Sequence, residues 1–83
     1  MPYIKQDKRH RLDWVVMELG SEELSSGELN YLITKILLNQ RPLNYEDYQN
    51  LIGTLESIKQ EFYRRKIAPY EDKKIEENGD VYE

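Results

Sequence analysis

The chain has 83 residues, a net charge of −4 and no cysteine. A domain of this length buries only about 60–65% of its unfolded surface, so we expect a thin core that is helped by oligomerisation. The lack of cysteine excludes disulfides, thiolate metal ligands and a cysteine nucleophile. An acidic balance argues against a dedicated nucleic-acid binder, because phosphate contacts need an excess of lysine and arginine.

The apolar runs of the sequence are short. The longest cover residues 14–17 and 36–38, whereas a membrane-spanning helix needs about 20 residues. The N-terminal segment also lacks the apolar stretch of a signal peptide. We therefore expect a cytoplasmic protein with no membrane partner.

Start and stop signals predict an all-α fold, because no stretch alternates apolar and polar residues for long enough to make a strand. A first helix is expected over about residues 7–19, with Asp7 as its N-cap and Gly20 as the left-handed residue that ends it. Trp14 and Met17 lie off its main apolar stripe and give it a second apolar face.

A second helix is expected over about residues 26–39. Ser25 is its predicted N-cap, with Glu28 completing a capping box three residues later. Leu24 precedes the cap and is spaced to pack on Leu29 as a hydrophobic staple.

The same pattern predicts a third helix over about residues 45–67. Asn44 is the predicted N-cap and Asp47 stands at the third helical position. Leu43 is spaced to staple onto Tyr48. Two such starts predict these boundaries independently of the apolar periodicity.

A heptad-spaced apolar seam runs along the third helix. Its members are Tyr48, Leu51, Leu55, Ile58 and Phe62. The seam is about two heptads long, which favours packing inside one bundle, with a dedicated coiled-coil dimer as the alternative. We expect Gly53 to allow a neighbouring helix to approach closely.

Pro69 is expected to end or kink the third helix, because proline disfavours helical geometry before it and clashes with the carbonyl group four residues back. A short fourth helix over about residues 69–77 is possible, with Asn78 and Gly79 as its stop. The prediction is one domain over residues 1–83, a compact three-helix bundle with a short C-terminal helix or docked tail.

Few residues carry catalytic chemistry. The lone His10 lies in a basic cluster, no serine stands in a nucleophile elbow, and the four glycines are isolated. We therefore predict no catalytic residue, no cofactor and no metal site. A metal-dependent phosphohydrolase that uses Glu22 and Glu23 is an alternative, although the sequence lacks two matched acidic pairs on two firm helices.

Seven tyrosines and one tryptophan are many for so small a core, and tyrosine beside arginine is typical of binding sites. The candidate ligand or partner residues around Pro69 are Tyr63, Arg64, Arg65, Tyr70 and Lys73. The candidate oligomer interface comprises Trp14, Met17 and Tyr48. In the alternative interpretation, the tyrosines support the bend while the cations pair with neighbouring acids.

Four stretches carry a family resemblance: residues 27–35 (GELNYLITK), 61–65 (EFYRR), 68–74 (APYEDKK) and 78–82 (NGDVY). Over about residues 25–82 the chain resembles a small family of uncharacterised proteins from bacterial and phage genomes. The resemblance implies a phage or mobile-element context and a tail that belongs to the domain. It implies no activity.

The leading hypothesis is a non-enzymatic, self-associating protein that captures an anionic nucleotide-type ligand or inhibits a host protein. The second is a nucleic-acid accessory protein, whose contacts would be Lys5, Lys8, Arg9, Arg11 and Lys35.

Overall fold

The computed structural model describes residues 2–82, and every regular element in that range is helical. The all-α class is therefore confirmed. In chain order the elements are a 3₁₀ turn (Gln6–Lys8), α1 (Arg9–Met17), α2 (Ser26–Asn39), α3 (Tyr45–Phe62), a π-helical turn (Tyr63–Ile67) and α4 (Ala68–Asn78). Residues up to 48 form one compact unit, and residues from 49 onward form another.

The first helix begins later than the sequence predicts. Asp7 lies in the 3₁₀ turn, and Lys8, the residue before α1, provides no side-chain cap. The predicted Asp7 cap is wrong because the 3₁₀ turn closes through its own backbone, with the Lys8 N–H donating to the Lys5 carbonyl at 3.0 Å. A tightened turn of this kind satisfies donors at a helix start without a side chain.

Gly20 ends the first helical segment in the predicted left-handed conformation, with φ of 68°. Its N–H donates to the Met17 carbonyl at 2.9 Å. Since α1 ends at Met17, Gly20 closes the turn that follows the helix.

Helix α2 has the predicted bounds, and its capping box is confirmed. The Glu28 N–H donates to Ser25 Oγ at 3.1 Å, and the Ser25 N–H donates to Glu28 Oε1 at 2.9 Å. The bond from the Ser25 backbone, and after it the Ser25 side chain, holds the pKa of Glu28 below its ordinary value. The start of α2 is thus fixed by local hydrogen bonds.

Helix α3 begins with the predicted Asn44 cap. The Asp47 N–H donates to Asn44 Oδ1 at 2.9 Å, and the Leu43 N–H donates to Asp47 Oδ2 at 2.9 Å. The predicted staple of Leu43 onto Tyr48 is wrong, because the Leu43 side chain is 87% exposed. The Asp47 carboxylate accepts a hydrogen bond from the backbone N–H of Leu43, and the leucine side chain remains in solvent.

The helix does not break before Pro69. Instead, a π-helical turn spans residues 63–67, and helix continues to Asn78. Proline cannot donate to the carbonyl of Arg65 and would clash with it in a regular α-helix. In the π turn the Ala68 N–H reaches back five residues to the Tyr63 carbonyl, so the chain accommodates one extra residue before Pro69.

Helix α4 replaces the predicted helix over residues 69–77, with Pro69 in its first turn. Gly79 follows it with φ of 87°, and its N–H donates to the Ile75 carbonyl at 2.8 Å. The predicted stop at residues 78–79 is confirmed. Tail residues up to Asn78 are therefore helical.

None of the residues from 2 to 82 is fully buried. In the seam of α3, Leu51 and Leu55 are half-buried, while Ile58 and Phe62 remain about three-fifths exposed. Many large apolar side chains in this range are exposed.

Candidate functional site

The predicted ligand residues lie on one continuous helical segment that runs from the π turn into α4. With two further lysines they form a group that we call the π-turn cluster. Its members are Tyr63, Arg64, Arg65, Lys66, Tyr70, Lys73 and Lys74. All seven are exposed. Five cations within residues 64–74 give this segment a positive surface in a chain whose net charge is −4.

Tyr63 is held within the chain by a hydrogen bond. Its hydroxyl donates to Glu71 Oε1, which joins the π turn to α4. This bond, and after it the negative charge of Glu71, raises the pKa of Tyr63 above its ordinary value. The Tyr63 hydroxyl is thus engaged in local structure, as the alternative interpretation of the sequence expects.

Arg64 forms a surface ion pair with Glu61. Its Nη2 donates to both carboxylate oxygens, at 3.0 and 3.1 Å. The side chain of Arg64 is 65% exposed and that of Glu61 is 25% exposed, so solvent weakens the pair mainly at the arginine. A more highly charged anion can therefore compete with Glu61 for the guanidinium group.

Tyr70 is the exposed aromatic group of the π-turn cluster, with 61% of its surface accessible. Lys74 Nζ lies 5.5 Å from its ring centroid and 3.2 Å from Glu77 Oε2. Lys66 and Lys73 stand four residues before and three residues after Tyr70 in the sequence. The Tyr70 ring therefore has Lys74 beside it and two further lysines within four residues.

Three cations of the cluster have no acidic partner among residues 2–82. Arg65, Lys66 and Lys73 make no ion pair within 4.0 Å there. Sequence reasoning missed Lys66 and Lys74. Their four-residue spacing on either side of Tyr70 was visible, but the expected break at Pro69 removed the reason to place them on one face.

The predicted oligomer-interface residues lie on two helices. Trp14 and Met17 are on α1, with 63% and 68% of their surfaces exposed, and Tyr48 is on α3. Their exposure leaves them accessible to a partner.

The residues of the other functional hypotheses are less organised. Glu22 and Glu23 lie in the connection between α1 and α2. Nowhere in residues 2–82 do three or more His, Asp or Glu side chains converge as metal ligands.

Among the proposed nucleic-acid contacts, Arg9 Nε donates to the Ile4 carbonyl at 2.9 Å, and Lys35 Nζ lies 5.8 Å from the Tyr31 ring centroid. No described helix has the length and apolar character needed to cross a membrane.

The comparison with known families covers almost the whole chain. Residues 1–81 match the family model of a domain of unknown function (DUF6899). The chain belongs to this family. No curated protein and no solved structure matches it. Membership in an uncharacterised family is thus confirmed, and the match includes α1, which lies outside the resemblance over residues 25–82.

Proposed function

We propose that this DUF6899 chain is a non-enzymatic, self-associating helical protein of phage or bacterial origin that sequesters an anionic, nucleotide-type ligand. The observation that carries this proposal is that Arg65, Lys66 and Lys73 make no ion pair within residues 2–82 and stand within five residues of the exposed Tyr70. The phage context comes from the sequence resemblance alone.

The chemistry of the π-turn cluster suits a nucleotide. Phosphate oxygens accept charge-assisted hydrogen bonds from arginine and lysine, and arginine offers a bidentate fork. A nucleobase can stack on the Tyr70 ring, whose neighbouring Lys74 already makes a cation–π contact. These contacts bind and orient a ligand, and the proposal assigns no bond-breaking step to them.

All members of the π-turn cluster are exposed in the single chain. Self-association would therefore help the protein to enclose a ligand. The apolar side chains of Trp14 and Met17 on α1 are 63% and 68% exposed, and a second copy can cover them.

Thermal denaturation with a panel of mononucleotides, dinucleotides and cyclic nucleotides tests ligand binding. A ligand that binds only the folded chain at about 100 times its Kd stabilises it by about 2.7 kcal/mol, which raises the Tm. Tyr70→Leu and Lys73→Gln should reduce the shift. Lys59→Gln, which removes a cation paired with Glu56 at 3.2 Å outside the cluster, should leave it unchanged. No shift with any nucleotide removes this proposal.

Inhibition of a host protein is the second candidate, and the exposed apolar surface of α1 favours it. Trp14, Val16 and Met17 are each more than three-fifths exposed, and contiguous apolar surface marks protein interfaces. Trp14 is the only tryptophan, so its fluorescence reports on this surface. An emission maximum that shifts when the pure protein is diluted assigns the surface to self-association, whereas one that is unchanged leaves it to another protein.

A further inference from the structure

A side-chain hydrogen bond crosses both the π turn and Pro69. The hydroxyl of Tyr63, the first residue of the turn, donates to Glu71 Oε1 in α4. By contrast, the ion pair of Lys74 with Glu77 lies wholly within α4. The bond from Tyr63 to Glu71 therefore joins the chain before the proline to the chain after it.

The spacing of this pair fits a π turn and not a regular α-helix. Tyr63 and Glu71 are eight residues apart, and residues at that spacing in an α-helix lie about 80° apart around the axis. The π turn inserts one residue, because the Ala68 N–H donates to the Tyr63 carbonyl five residues back. The pair is then equivalent to residues seven apart, which lie about 20° apart. The inserted residue thus brings the two side chains onto one face of the segment.

The π turn also determines how the two parts of the π-turn cluster are placed. Residues 63–66 of the cluster lie in the turn, and Tyr70, Lys73 and Lys74 lie in α4. A regular α-helix would end or kink at Pro69, which would change the distance between these two parts. A ligand that contacts both parts binds more tightly when they are held in place beforehand, because ordering them on binding costs affinity.

We infer that the hydrogen bond between Tyr63 and Glu71 holds the π turn and thereby positions the two parts of the π-turn cluster for a ligand. Both are positioning residues, since the Tyr63 hydroxyl is engaged with Glu71 and acts through the placement of the cations and of Tyr70. The inference rests on the nucleotide binding in the proposed function, and it states how that site is held.

Amide hydrogen exchange measured by NMR tests the hold on the turn. The Ala68 N–H makes the π-turn bond, so its exchange rate reports local opening there. Tyr63→Phe removes only the hydroxyl, and we expect exchange at Ala68 to become at least about threefold faster, as for the loss of one modest hydrogen bond. The Leu29 N–H, bonded to the Ser25 carbonyl at 2.9 Å in α2, should exchange at its original rate.

Substitutions of Glu71 isolate its acceptor from its charge. Glu71→Gln and Glu71→Leu both remove the charge, but only glutamine keeps an oxygen that can accept from Tyr63. Exchange at Ala68 should therefore be slower in Glu71→Gln than in Glu71→Leu. Adding Tyr63→Phe to Glu71→Leu should have no further effect, because both changes remove the same interaction. Tyr45→Phe, which removes a hydroxyl from a tyrosine that is 75% exposed at the start of α3, is the control and should leave Ala68 unchanged.

A bound ligand tests the positioning role. By linkage, a nucleotide that contacts both parts of the cluster stabilises the closed turn. The nucleotide that gives the largest Tm shift should therefore slow exchange at Ala68 in the natural chain and restore protection in Tyr63→Phe.

The outcomes separate this inference from the proposed function. Unchanged exchange at Ala68 in Tyr63→Phe overturns the hold on the turn, whether or not a nucleotide binds. A nucleotide that raises the Tm but leaves Ala68 exchange unchanged overturns the positioning role alone. If no nucleotide raises the Tm, the proposed function fails and the positioning role fails with it, while faster exchange in Tyr63→Phe still supports the hold on the turn.

Discussion

Individual side chains set the starts of α2 and α3, and the pair formed by Ser25 and Glu28 is the clearest case. The two residues exchange hydrogen bonds at 2.9 and 3.1 Å. A bond of this kind depends only on residues three apart in sequence. It can therefore be predicted from sequence, as can the bond between Asn44 and Asp47.

The capping box predicts a response to acid. Because the pKa of Glu28 is lowered in the folded chain, its contribution to stability is present above the unfolded pKa and is lost as the pH falls through the folded pKa. Helix content by circular dichroism should decrease in that acid range. Glu28→Gln keeps a capping partner without a titrating group, so its acid profile should be flatter. Equal acid sensitivity in both proteins contradicts this role.

At the scale of elements, the unbroken course from α3 to α4 is what the sequence could not predict. Proline is expected to end or kink a regular α-helix, yet helical structure continues past Pro69. The π turn over residues 63–67 accommodates Pro69, since the Ala68 N–H bonds to the Tyr63 carbonyl five residues back. That turn depends on backbone geometry that helical periodicity does not encode. The predicted site therefore included Tyr70 and Lys73 but omitted Lys66 and Lys74.

Gly53 gives a test of α3 itself. An added Cβ at Gly53 meets nothing within 4 Å, so the unit from residue 49 onward has room for a side chain there. Glycine costs a helix interior about 0.5–1 kcal/mol relative to alanine. Gly53→Ala should raise the free energy of unfolding by that amount in urea titrations at fixed protein concentration.

The matched control is Gly20→Ala. An added Cβ there also meets nothing within 4 Å, but the backbone has φ of 68°. Alanine is strained in that conformation, so this variant should be less stable. If Gly53→Ala is destabilised as well, another helix must approach α3 at Gly53.

At the scale of the whole molecule, local signals specify the helices and their apolar faces but not what covers those faces. Its helices carry the apolar residues of a bundle core, yet no residue among 2–82 is fully buried. Sequence periodicity identifies apolar faces but does not say whether the same chain or another copy covers them. The choice between an intramolecular seam and a dimer therefore could not be made from the spacing of Leu51, Leu55, Ile58 and Phe62.

Self-association is the central claim of this account, and the mass of the pure protein in solution tests it most directly. Size-exclusion chromatography with light scattering should give at least twice the chain mass of 10.0 kDa. The mass should decrease on dilution. A mass of 10.0 kDa at every concentration would contradict the account, because the exposed apolar surface would then have no second copy to cover it.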